Sequence, residues 1–244
     1  MANGFDPRAT AAPRPTAVGR DAAAFDAGLR SYMLSVYNYM ASGVLLTGIV
    51  ALLFAQSGMA ADILTGPGIL KYVIMFAPLA FIMVMSFGIN RISTPTLQLL
   101  FWAFATVMGL SLSSIFLVFT GGSIAQTFFA TSAAFLGLSL WGYTTKRDLS
   151  AFGTFLIMGV IGLLVASVIN IFLQSPAMHY AISFIGVLLF AGLTAYDTQR
   201  IKSLYFHVAG TDMMGKTVIM GALSLYLDFV NMFTFLLQFM GQRD

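Results

Sequence analysis

Apolar residues in this chain come in long unbroken runs rather than in the three-to-four spacing of a surface helix or the alternation of a half-buried strand. From Ile92 to Thr145 there are 54 residues without Asp, Glu, Lys or Arg, and from Leu149 to Tyr196 another 48. The first run would make about 80 Å of helix against a hydrocarbon core of about 30 Å, so it must cross a bilayer twice. Gly121-Gly122-Ser123 supplies turn chemistry inside it, and Gln174-Ser175-Pro176 does the same for the second run. Spanning strands would alternate in polarity over about ten residues, which these runs do not. The pattern predicts helices near 31–55, 72–90, 96–120, 123–144, 151–173, 178–200 and 217–240, with Gly66-Pro67-Gly68 as a turn in the first outer loop. The expected fold class is all-α: a polytopic membrane protein of seven transmembrane helices.

Two acidic residues interrupt the runs. All nine acids are Asp, and only Asp197, in LLFAGLTAYD, and Asp228, in GALSLYLDFVNMFTFLLQF, fall within apolar stretches. A carboxylate at the bilayer centre costs about 2.5–3.5 kcal/mol on insertion scales, so it is expected to face a cavity or a partner. Steps of three and four from Thr217 give Gly221, Ser224, Asp228, Asn231, Phe235 and Gln238 on one face of span 7. Such a polar stripe is costly against lipid, which places span 7 in the middle of the bundle. Ser224 and Gln238 read as interhelical hydrogen-bonding groups, Asp228 as functional, since Asn would bridge helices as well.

Composition agrees with the class. Hydrophobic residues are 59% of the chain and charged residues 9%, against about 25% charged in soluble domains. With seven spans and a cytoplasmic N-terminus, the cytoplasmic side receives ten of the twelve Lys and Arg, and the far side only Lys71 and Arg243. The net charge of +3 therefore reports topology and gives no nucleic-acid footprint. There is no Cys, hence no disulfide, thiol nucleophile or sulfur-ligated metal. Residues 1–30, rich in Ala, Pro and Arg, read as a disordered cytoplasmic arm before a transmembrane domain of residues 31–244. Fifteen Met and 23 Phe are spread over all spans and read as packing. Gly43, Gly48, Gly109, Gly137, Gly159 and Gly162 are expected to allow close helix approach.

Whether the two aspartates meet is open at this level. Counting residues from the expected helix ends leaves them about 10–15 Å apart in depth. Ile201, Leu204, Tyr205 and Val208 continue a helical pattern past Asp197, however, and would carry it deeper. Should the carboxyls meet, they cannot both ionise cheaply in a low-dielectric site and would share a proton. Removing that proton would leave two repelling charges, able to part helices or attract a cation. Arg91, in FGINRISTPT, is either a snorkelling residue or a counter-charge for Asp197. His179 and His207 belong to opposite ends of span 6 and cannot share a metal.

On AYDTQRIK, GALSLYLDFVNMF and GINRIS, with seven spans and a short C-terminal end, residues 30–242 resemble the Bax inhibitor family in its bacterial branch. The resemblance implies seven helices with the last surrounded by the other six, and a pH-sensitive calcium leak without a cofactor, calcium being the permeating ion. It implies Asp197 and Asp228 as the proton-sharing pair, which would also hold calcium weakly and transiently, and Arg91 as the counter-charge latch. Ser224 and Asn231 would support the pair from the polar stripe. Eukaryotic relatives end in a basic tail; this chain ends Gly-Gln-Arg-Asp, so a tail sensor is not carried over.

The implied setting is a bacterial inner membrane, with the C-terminus on the far side and lipid, calcium and protons as partners. A second reading is a regulatory protein binding a membrane-bound ATP-dependent protease, with the N-terminal arm as handle. A third is an intramembrane aspartyl protease. There the second aspartate sits in Gly-x-Gly-Asp and a Pro-Ala-Leu follows; here it sits in Leu-Tyr-Leu-Asp with no such follower, so no enzyme is expected.

Overall fold

In a computed structural model, residues 17–243 are described, with side-chain surroundings from Phe25 onward. The helices are α1 Ala17–Gln56, α2 Met59–Thr65, α3 Leu70–Gly88, α4 Thr94–Leu112, α5 Gly121–Thr144, α6 Ser150–Leu173, α7 Pro176–Val208 and α8 Met213–Met240. All except the short α2 belong to segments long and apolar enough to span a membrane. The seven expected spans are thus α1 and α3–α8.

Local chemistry sets several boundaries. Ser93 caps α4 by accepting from the Thr96 N–H, with Pro95 in its first turn, and Ser175 with Pro176 does the same for α7. Gln174 closes α6 in the left-handed conformation (φ 48°), so the expected break there is found. The break expected at Gly121-Gly122 lies earlier. After α4 the chain tightens into a 3-10 turn, Ser113–Leu117, and Thr120 caps α5, leaving both glycines in the first helical turn.

The largest differences are at α1 and α7. Helix α1 begins fourteen residues before the expected start, so 17–30 are helical rather than part of a disordered arm, while residues 1–16 lie outside those described. Phe25 sits 5.1 Å from Tyr205 and 5.2 Å from Phe206 by ring centroid, and Leu29 is buried, which gives this extension apolar contacts. Helix α7 runs eight residues past its expected end, on the Ile201 and Tyr205 face, both buried.

Helix α8 is the core element. It packs on α7, α1, α5 and α4, while α6 packs on α7 and α3 on α4 and α2. Of the six helices implied around α8, four pack along it, while the C-terminal end of α3 meets it through Lys216 and α6 packs on α7. In its most apolar stretch 61% of α8 is buried, against 11% for α6, whose exposed Phe155, Met158, Leu164 and Phe172 form a lipid-facing surface. Two glycines set close approaches. A Cβ at Gly109 would meet the Thr47 carbonyl at 2.7 Å, where α4 crosses α1, and one at Gly142 would meet the Ala195 backbone, where α5 crosses α7.

Lys146, Arg147, Arg200, Lys202 and Lys216 gather at one end of the bundle, near the α5–α6 and α7–α8 turns. Two of these cations close helix C-termini: Lys202 Nζ donates to the Tyr143 carbonyl at 2.7 Å and Lys216 Nζ to that of Ile89 at 2.9 Å. At the opposite end the C-terminal segment is pinned to the start of α5. Thr120 N–H donates to Gln242 O at 3.1 Å, and Gln242 N–H to Ser123 Oγ at 2.9 Å.

Candidate functional site

The α7–α8 hairpin positions both intramembrane aspartates. Gly221 of α8 faces Ile201 of α7, and Gly186 of α7 faces Phe235 of α8. In that antiparallel register Asp228 is level with Thr194. Asp197 is three residues nearer the connecting turn, about 4.5 Å along the axis. The separation of 10–15 Å in depth counted from the sequence is replaced by one helical turn, because α7 does not end at residue 200 and Asp197 is carried inward. Asp197 shares the face of α7 that carries Gly186 and Ile201, and Asp228 the face of α8 that carries Gly221 and Phe235, so both stand on the α7–α8 contact.

The two environments differ. Asp228 is 4% exposed, and its Oδ2 is buried without a hydrogen-bond partner. An ionised carboxylate held so carries its full desolvation penalty, whereas a protonated one, or one bound to a cation, does not. Asp197 lies toward the basic end with its side chain 13% exposed, and Arg200 Nη1 stands 3.7 Å from its Oδ1, one turn along the same helix. The pair therefore couples an enclosed carboxyl to one that reaches the rim.

Arg91, expected as the latch, is not brought to Asp197. It lies exposed in the turn after α3, on the periphery of the bundle, and among the described residues the cation paired with Asp197 is Arg200. The polar stripe of α8 faces α7, as the Gly221 and Phe235 contacts show, and Phe235 stacks on Phe190 at 5.9 Å. Asn231 donates to its own helix, Nδ2 to Leu227 O at 2.8 Å, and Ser224 is half-buried. The two histidines stand near the two ends of α7, so they are far apart, as expected.

Two hydroxyl networks flank the site, and neither was singled out from the sequence. Thr47 of α1 donates to Ala105 O of α4 at 2.8 Å. Its one proton is thereby used, so Tyr226 of α8 donates to it at 2.6 Å. By the same logic Thr198 donates to Thr194 O at 2.7 Å, Ser139 donates to Thr198 at 2.9 Å, and Tyr37 donates to Ser139 at 2.6 Å. The first network ties α1, α4 and α8 two residues from Asp228; the second ties α1, α5 and α7 beside Asp197. The available signal was weak: lone hydroxyls in apolar runs, with Thr198 next to Asp197 and Tyr226 two residues before Asp228.

Fold and site define a multi-pass helical membrane protein with a carboxyl pair on its central hairpin. The chain belongs to the Bax inhibitor family: the family model described as "Inhibitor of apoptosis-promoting Bax1" matches residues 29–244. It is 44% identical over 219 residues to the inner membrane protein YbhL of Escherichia coli, covering 89% of this chain and 94% of that one. It is 48% identical over 220 residues to an uncharacterized protein of Rickettsia prowazekii, covering 90% and 92%. An uncharacterized membrane protein of Streptococcus pyogenes is 36% identical over 221 residues, covering 90% and 96%.

Proposed function

We propose that this protein is a pH-sensitive cation leak of a bacterial inner membrane, with calcium as the permeating ion and Asp197 and Asp228 as its proton-sharing gate. The observation that carries this reading is the buried Asp228 Oδ2, which has no hydrogen-bond partner and stands within about one helical turn, in depth, of a second carboxyl on the facing helix. With one proton between them the pair is neutralised to a single charge, and the hairpin stays packed. Loss of that proton leaves two like charges that repel or recruit a cation. Two carboxylates with neighbouring hydroxyls and water make a weak site for an ion that prefers six to eight oxygens, which suits passage better than storage.

The inner-membrane setting follows the name of the Escherichia coli relative. The basic end is assigned to the cytoplasm on the asymmetry of Lys and Arg, which puts the N-terminus inside and the C-terminus outside.

The test is calcium flux into proteoliposomes across a pH series. Asp228→Asn keeps the shape of the side chain but cannot ionise. It is expected to flatten the pH profile while the purified protein keeps its helical content. A variant whose flux and pH dependence both match the parent would sink the gate.

A further inference from the structure

A second polar site lies at the basic end, one turn beyond Asp197. A pocket of about 320 Å³ opens between the α5–α6 turn and α7, and Lys146, Arg147 and Arg200 bring three cations to it. The turn is held as a unit. Gln199 of α7 accepts from the Leu149 N–H at 2.9 Å through Oε1 and donates to the Arg147 carbonyl at 2.8 Å through Nε2. The one acid in the pocket, Asp148, is engaged: its Oδ1 accepts from the Ser150 N–H at 2.9 Å at the start of α6. Unlike Lys202 and Lys216, Lys146 and Arg147 are exposed and hold no side-chain hydrogen bond or ion pair among the described residues. Arg200 is 57% exposed, and its single ion-pair contact is the long one to Asp197.

We propose that this pocket binds the phosphate of an anionic phospholipid headgroup, and that the bound phosphate draws Arg200 away from Asp197. Guanidinium and ammonium groups converging on one cavity fit phosphate oxygens, and an Arg–phosphate fork is stronger than a 3.7 Å contact between neighbours on one helix. A membrane lipid is favoured over a free anion because the pocket sits where α6 enters the apolar layer. Phe152 and Phe155, 44% and 64% exposed, begin the apolar surface of α6 within two turns of the pocket-lining Ser150 and offer an acyl chain contact there. The binding stands without the leak reading; only its effect on Asp197 rests on it.

Native mass spectrometry of the full-length protein, titrated with phosphatidylglycerol or phosphatidylethanolamine, tests the pocket. Phosphatidylglycerol is expected to be retained preferentially, and the double variant K146Q/R147Q to bind it about tenfold more weakly. Lys71→Gln, at the other end of the bundle, should bind as the parent does, which separates the pocket from general loss of charge. Equal retention of the two lipids, or a double variant that binds normally, overturns the site. Competition by inorganic phosphate as effective as that by the lipid overturns the lipid as occupant. In proteoliposomes the phosphatidylglycerol form should shift the pH profile of the leak. Binding without such a shift overturns the link to Asp197 and leaves the pocket standing, and a parent that leaks at no pH sinks the leak reading alone.

Discussion

Arg200 and Arg91 pose the clearest question at the scale of single residues. Arg200 lies on the helix of Asp197, one turn away, while Arg91 lies on the turn after α3. An ion pair this exposed is worth about 0.2–1 kcal/mol, so it biases the carboxyl pair without locking it. Because a neighbouring cation favours the ionised pair, Arg200→Gln is expected to lower the leak at neutral pH by up to about fivefold, with Arg91→Gln near the parent, both read as calcium flux. The reverse order would return the latch to Arg91. Asp148 supplies a control on pH. Its hydrogen bonds from Ser150 hold its carboxyl below the usual aspartate value of 3.8. A depressed acid contributes its stabilisation in full above that value and loses it as pH falls through the lower one. In proteoliposomes without anionic lipid, where the basic pocket has no phosphate to draw in, Asp148→Asn should thus leave the shape of the flux profile between pH 5 and 8 unchanged. Of the site itself, Asp228 was legible because a charge inside an apolar run has few innocent explanations. Its level against Asp197 was not, since a helix end misplaced by eight residues moves a side chain by about 12 Å.

Among elements, the α7–α8 hairpin decides the architecture, and small residues decide how closely others reach it. The polar stripe of α8 placed that helix centrally from sequence alone, because lipid does not accept such a face. Which glycines matter was not legible, since a missing side chain looks the same whether it faces a helix or lipid. Gly109 does touch α1, but Gly48, Gly137 and Gly162 have nothing within 4 Å of a built Cβ, while Gly142, not singled out, meets the Ala195 backbone. Backbone cannot yield as a flexible side-chain tip can. Gly142→Ala is expected to push α5 off α7 and cost about 1–3 kcal/mol, seen as a lower midpoint in thermal unfolding in detergent. Gly137→Ala, on the same helix, should leave the midpoint unchanged. Because Ser139 and Thr198 bridge α5 and α7 near that crossing, Gly142→Ala should also disturb the leak more than its stability loss alone would.

For the molecule as a whole, orientation decides what the proposed gate would sense. Asp197 is the carboxyl nearer the basic end, so if that end is cytoplasmic the proposed gate would read cytoplasmic pH. The assignment rests on ten basic residues against two, counted over short connections where the bias acts. The chain offers a clean check, having no Cys of its own. Single cysteines can be placed at exposed Asp212, in the α7–α8 turn at the basic end, and at exposed Ser57, between α1 and α2 at the other. In intact cells with a permeable outer layer, a membrane-impermeant thiol reagent is expected to label Ser57→Cys and to spare Asp212→Cys until the inner membrane is lysed. Seven crossings put these positions on opposite sides, so labelling of both in intact cells would break the span count. Labelling of Asp212→Cys alone would invert the protein: Asp197 would then answer to the external medium, and the Lys146–Arg147 pocket would face the outer leaflet.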